Sequence, residues 1–126
     1  MSTAEVSTMT TKEVADRMSQ LFKEFKWSEV QEELFADDAE SIEPDHSPGL
    51  KSVKGKDAIK KKGEQFNAMV EEFHGGWVGD PIVAGNHIAV AMAIDATYKG
   101  MGRQKMEEIA LYEVKDGKIA KEQFFY

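Results

Sequence analysis

The chain predicts a small α+β domain, a curved antiparallel sheet wrapped around N-terminal helices with a pocket inside. Three observations carry this. Apolar residues recur at helical spacing through the first half of the chain, as far as Phe73. From Trp77 onward the pattern becomes strand-like, cut by tight turns at Gly85-Asn86, Gly100-Met101-Gly102 and Lys115-Asp116-Gly117. One face of the segment His87–Lys99 is small (Ala89, Ala91, Ala93), which leaves volume that neighbours or a ligand must fill. Helices first and a meander after is an α+β order, and 126 residues amount to one domain. The expected division is a flexible start over Met1–Thr11 and a single domain over Lys12–Tyr126.

Thr11 is placed to cap a first helix over Lys12–Phe25, with Val14, Met18, Leu21, Phe22 and Phe25 as its apolar face. A short second helix follows Trp27-Ser28, carries Val30, Leu34 and Phe35, and ends at Ala36-Asp37-Asp38. Glu40–Glu43 reads as a brief strand stopped by Pro44. Asp45–Gly55, with Pro48, Gly49 and Gly55, is a loop. A third helix is expected from Lys56 to Phe73, its buried stripe Ala58, Ile59, Phe66, Met69, Val70 and Phe73, with Gly75-Gly76 as its stop. Trp77–Ala84 is then a strand interrupted by Pro81, hence an edge or bulged strand. His87–Lys99, Arg103–Val114 and Lys118–Tyr126 complete an antiparallel meander.

Charge and composition exclude several functions. Acidic side chains number 23 against 16 basic, a net charge of −7, the wrong balance for a phosphate-backbone binder, so no nucleic-acid partner is expected. The lysines at 51, 54, 56, 60, 61 and 62 read as the solvated start of a helix. With no cysteine there is no disulfide framework, thiolate metal site or thiol nucleophile. No run of apolar residues is long enough to span a bilayer, and Met1–Thr11 lacks the apolar core of a signal peptide. We therefore expect no membrane partner and a cytoplasmic location. No metal ligand spacing stands out, so neither a metal nor a cofactor is expected.

Alternation assigns the strand faces. On His87–Lys99, Ile88, Val90, Met92, Ile94 and Tyr98 form a large apolar row opposite the alanines. With the small face taken as the inner one, the large row needs a cover, which predicts a homodimer through Ile88, Val90, Met92, Ile94 and Tyr98. On the following strands Glu108, Ala110, Tyr112 and Val114 share one face, and Glu122, Phe124 and Tyr126 another.

Certain motifs resemble a known family. Leu34-Phe35-Ala36-Asp37-Asp38-Ala39, then Glu43-Pro44, then Gly55-Lys56-Asp57-Ala58-Ile59, and finally Val114-Lys115-Asp116-Gly117-Lys118-Ile119 are similar to the nuclear transport factor two-like superfamily, in its ketosteroid isomerase and SnoaL-like polyketide cyclase branch. The resemblance runs from about Val14 to Tyr126 and implies a cone-shaped curved sheet around an internal pocket. That superfamily holds isomerases, dehydratases, hydrolases, cyclases and non-catalytic binding domains, so it fixes no reaction. By resemblance Glu43, directly before Pro44, stands where the isomerase has its general base. The isomerase's oxyanion hole has no counterpart: Lys12–Phe25 contains no tyrosine, and the strand aspartate position falls on Ala110.

Laid on that family's sheet, Glu43, Asp95, Glu108 and Glu122 point inward, with His74 at the mouth and Tyr112, Phe124 and Tyr126 along the same faces. Glu43, His74 and Glu122 are the candidate catalytic residues; Asp95, Glu108, Tyr112, Phe124 and Tyr126 are the candidate lining. Carboxylates this close cannot all ionise cheaply, so at least one is expected to titrate high. Two functions stay open. One is a domain that binds a small molecule among these carboxylates. The other is a cofactor-free isomerase, cyclase or dehydratase with Glu43 as base and His74 or Glu122 as acid.

Overall fold

The computed structural model describes residues 8–126. The flexible start expected over Met1–Thr11 therefore lies mostly outside the described residues. Helix α1 spans Thr11–Lys23 and is capped one residue earlier than expected. The Glu13 amide donates to the Thr10 hydroxyl (3.1 Å) and the Thr10 amide to the Glu13 carboxylate (2.8 Å), which satisfies two otherwise orphaned donors. Val14, Ala15, Met18, Leu21 and Phe22 form its buried face. Helix α2 is Trp27–Leu34, with Val30 and Leu34 buried. Helix α3 is Lys56–Met69. Among the described residues, no helix is long and apolar enough to cross a membrane.

Among the described residues, seven strands make one curved, unclosed sheet: β1 Phe35–Ile42, β2 Val53–Lys54, β3 Val70–Val78, β4 Ile82–Ala84, β5 His87–Tyr98, β6 Gly102–Lys115 and β7 Lys118–Phe125. Their order is β2-β1-β7-β6-β5-β3, with β4 also beside β5. The meander β5-β6-β7 is antiparallel as expected. One pairing is not: β1 runs parallel to β7, Glu40 opposite Lys121 and Ser41 opposite Glu122.

Three boundaries depart from the sequence reading, each for a tertiary reason. Ala36-Asp37-Asp38 reads as a helix end because aspartate disfavours strands, yet Phe35 and Glu40 on either side pair with Ile119 and Lys121 of β7, and the stretch between them is carried into β1 as an irregularity in the register. Helix α3 stops at Met69, and Val70–Val78 pairs with β5, although Val70 and Phe73 continue the helical spacing. Gly75-Gly76 is thus inside β3, not a helix stop; a Cβ at Gly76 would collide with the carbonyl oxygen of Ala93. Trp77–Ala84 divides at Gly79–Pro81 into the end of β3 and β4, both flanking β5.

The largest correction concerns β5. Ile88, Val90, Met92 and Tyr98 are buried within the chain, where Ile88, Val90 and Met92 join the core formed by the helices, Ala110 and Tyr112. The row Ile88, Val90, Met92, Ile94 and Tyr98 therefore faces inward and is not free to join a homodimer. The large residues fill the hollow of the sheet because the helices offer apolar surface there. Facing outward are Ala91 and, in register across β6 and β7, Ile109 and Phe125, both about half exposed.

This placement is testable by urea denaturation. Ile88→Ala is expected to cost about 2–5 kcal/mol, as for a filled core site. Ile109→Ala, on the outward face, is expected to change stability by under about 0.5 kcal/mol. Equal effects would contradict the assignment of faces.

Candidate functional site

Helices and sheet enclose a cavity of about 740 Å³. Aromatic and aliphatic groups form most of its wall: Phe22, Phe25 and Trp27 from α1, α2 and their junction, Phe66 from α3, Phe73 and Trp77 from β3, and Met92 and Ile94 from β5. One end is polar and is built by Glu43, Lys62, Glu108, Tyr112, Glu122 and Tyr126.

Register explains how distant residues meet there. Ser41 on β1 lies opposite Glu122 on β7, and Glu122 opposite Tyr112 on β6. Helix α3 lies across β1 and sends in Lys62, only 6% exposed. The Lys62 ammonium donates to Glu43 Oε2 (2.7 Å) and to the Ser41 hydroxyl (2.6 Å). Ser41 in turn donates to Glu122 Oε2 (2.7 Å). The Tyr126 hydroxyl donates to Glu43 Oε1 (2.6 Å) and lies 3.0 Å from the Ser47 hydroxyl. The Ser52 hydroxyl accepts from the Glu43 amide (2.9 Å), which fixes the chain just before Pro44. The Lys62 ammonium also sits 5.5 Å from the centre of the Phe124 ring, within cation–π range. A continuous chain of hydrogen bonds thus links Glu122 to Tyr126 through a single cation.

Three carboxylates share that cation, and the electrostatics show the shortfall. Glu122 is pushed up to about 7, first by burial and then by the charge of Glu43, against the opposing pull of Ser41 and Lys62. Glu108 is also pushed up to about 7, by burial and then by the charges of Glu43 and Glu122. Tyr126 is raised to about 12 by burial and by its bond to Glu43. Tyr112, fully buried beside Glu122 and Glu108, is likewise raised. Glu108 has no side-chain hydrogen-bond partner among the described residues, so its carboxyl is available to the cavity.

Of the residues expected at the site, Glu43, Glu108, Tyr112, Glu122, Phe124 and Tyr126 line the cavity. His74 and Asp95 do not. His74 Nε2 hydrogen-bonds the Thr97 hydroxyl (2.7 Å), and its other nitrogen is 3.8 Å from Glu72. Asp95 is held by a two-pronged bond from Arg103 (2.9 and 3.0 Å), which also lowers its pKa. Both belong to the outer side because the large residues of β5 take the inner one. Lys62 and Ser41 were missed. The lysine run was read as solvent-facing, yet Ile59, Lys62, Phe66 and Met69 follow each other at helical spacing, so Lys62 lies on the buried stripe. Among the described residues, no group of His, Asp and Glu has the arrangement of a metal site; the positive charge here is the lysine's own.

Comparison with known proteins follows the same lines. The family described as SnoaL-like domain matches residues 9–126. A crystal structure from Mesorhizobium loti, of a protein named as a SnoaL-like polyketide cyclase, is 36% identical over 94% of this chain and 100% of its own, with a TM-score of 0.87. A cystatin-like-fold protein of unknown function from Xanthomonas campestris is 15% identical over 93% of this chain and 90% of its own, with a TM-score of 0.76. A protein with a ketosteroid isomerase-like fold from Catenulispora acidiphila, in complex with trimethylamine, is 20% identical over 93% and 87%, with a TM-score of 0.69. The latter two share the fold alone. No curated protein matches the chain.

The raised Glu122 carboxyl makes stability depend on pH in a definite direction. Its folded pKa lies above the unfolded one, so its penalty is absent below about 4.5, grows as pH rises, and is complete above about 7. At about 1.4 kcal/mol per pH unit, that penalty is roughly 3 kcal/mol. Glu122→Gln is therefore expected to match the parent protein near pH 4.5 and to exceed it in unfolding free energy at pH 8. Denaturation curves at the two pH values decide; a variant less stable at pH 8 would contradict the ascribed burial.

Proposed function

This chain belongs to the SnoaL-like domain family, and we propose that it binds an apolar small molecule carrying one polar group. The apolar body lies against the aromatic wall and the polar group meets the carboxylate–lysine end. The observation that carries this is the amphipathic cavity itself. It is large enough for a small organic ligand, mostly apolar, and has a few convergent polar groups at one end, the usual make-up of such sites.

One observation favours a second reading, general acid–base catalysis on a carbonyl compound. Glu108 faces the cavity unpartnered with a pKa of about 7, where a carboxyl both gives and takes a proton at physiological pH. In that reading Glu43 is not the group that exchanges protons with substrate. Its Oε2 is engaged by Lys62 and its Oε1 by Tyr126, so it positions those two residues. Lys62, with one N–H left over, stabilises negative charge developing on the carbonyl oxygen. The reaction class is proton transfer next to a carbonyl, a cyclisation or a dehydration. The polyketide cyclase name borne by the Mesorhizobium loti protein fits this class.

Both tryptophans of the chain, Trp27 and Trp77, line the cavity, so intrinsic fluorescence reports its occupancy. Titration with a panel of apolar ketones is expected to give saturable changes. Affinity should weaken about tenfold (1.4 kcal/mol) between pH 6 and pH 8, as Glu108 loses the proton it donates to the carbonyl. Glu108→Gln, whose amide remains a donor, should keep the low-pH affinity and flatten the profile. The same ketones in heavy water distinguish the readings: catalysed exchange of the adjacent protons, lost in Glu108→Gln, supports the enzyme. Absence of any saturable change across the panel would overturn the binding proposal.

A further inference from the structure

We infer that Phe25, together with Phe73, is a specificity-determining clamp at the open side of the cavity, holding the apolar body of the bound molecule. The inference rests on the reading that this cavity takes a small molecule, and it adds which residues select the part that reaches the opening.

Phe25 occupies an unusual place. Helix α1 ends with the Lys26 amide donating back to the Leu21 carbonyl (2.9 Å) and the Phe25 amide to the Phe22 carbonyl (3.0 Å). That closing turn puts the residue after the cap in the left-handed region, and Phe25 has φ of +58°. Glycine or asparagine is the usual occupant, because a Cβ there crowds the backbone. The turn would form more easily with glycine, so the helix ending does not need a phenylalanine.

Nor is the ring used by the core. Phe25 is 54% exposed, Phe73 53% and Trp77 46%, yet all three line the cavity. Residues that both line a cavity and remain half exposed mark where it opens. There the Phe25 ring meets Phe73 edge-on with centroids 5.9 Å apart, and Trp27 in the same manner at 6.4 Å. The side chain thus carries two costs, a crowded backbone and an aromatic surface left in water. A molecule entering through the opening would cover that surface and offset both.

The surroundings indicate the chemistry of the clamped part. Of the charged side chains nearby, Lys23 is paired with Asp80 and Lys60, itself a lining residue, with Glu32, both at 2.6 Å, while the lining Glu64 has no such partner among the described residues. Beside that one carboxylate, what the opening presents is the ring surface of Phe25, Phe73 and Trp77, suited to a neutral apolar group, flat or branched.

The test uses the neutral apolar fluorophore N-phenyl-1-naphthylamine as probe, with the full chain and its Phe25→Gly, Phe25→Asn and Phe73→Leu variants. Thermal melting is followed without probe. Both Phe25 variants are expected to melt above the parent protein, since the turn is relieved, and yet to bind the probe at least about tenfold more weakly. Phe73→Leu should weaken binding with no gain in melting temperature. Probe binding by Phe25→Gly as tight as the parent's, or a lower melting temperature, would overturn the clamp while leaving the cavity reading standing. A parent protein that binds no probe would sink both.

Discussion

The buried ammonium of Lys62 is the constraint on which the rest of the site depends. A charge taken out of water must be met by an opposite charge and by hydrogen bonds, or it costs several kcal/mol. Lys62 is met by Ser41 from β1, by Glu43 directly after that strand, and through Ser41 by Glu122 from β7. These partners lie on, or directly follow, the two strands joined by the sheet's parallel pairing. Helix α3 is thereby fixed over that pairing, and its crossing forms one side of the cavity. Removing the lysine would leave three crowded carboxylates with no counter-charge, so the fold and the site share this interaction.

The same constraint gives the cavity its chemical character. One cation against three carboxylates leaves a deficit, and burial prevents water from making it good. Burial and the neighbouring charges raise Glu108 and Glu122 to about 7, so that both are partly protonated near neutral pH. Such a site can change its charge without changing its shape, which suits either a ligand held by a switchable donor or a proton carried to and from a carbonyl compound. Glu122 is held in the chain by the hydrogen bond it accepts from Ser41, whereas Glu108 stands open to the cavity. The two carboxyls thus differ in role despite similar acidity.

Much of the fold was legible because local chemistry and global packing agree. The cap of α1, expected at Thr11 and found one residue earlier, its apolar face, and the glycine turns between β5, β6 and β7 are all written in consecutive residues. Alternation separates the faces of β6 and β7, the resemblance to the family's sheet picks the inner one, and that face brings Glu108, Tyr112, Glu122, Phe124 and Tyr126 to the cavity. Where reading failed, the deciding partner was far away in sequence. Alternation on β5 separates two faces but does not say which is inner; the helices choose the large one, which moved Asp95 outward and closed the proposed dimer row. The strand β1 owes its length to β7, some eighty residues on. Lys62 was hidden in a basic run whose neighbours are solvated, and only its spacing from Ile59 and Phe66 marked it.

The central claim is that the polar end of the cavity holds more carboxylates than its one lysine can keep ionised. Carbon-13 labelling of the glutamate side-chain carboxyls, followed by NMR through a pH titration of the free protein, measures this directly. Two glutamate signals should titrate near pH 7, one removed by Glu108→Gln and the other by Glu122→Gln. If every glutamate carboxyl titrated below about pH 5, the cavity would be wetter or better neutralised than described here, and the account would be wrong.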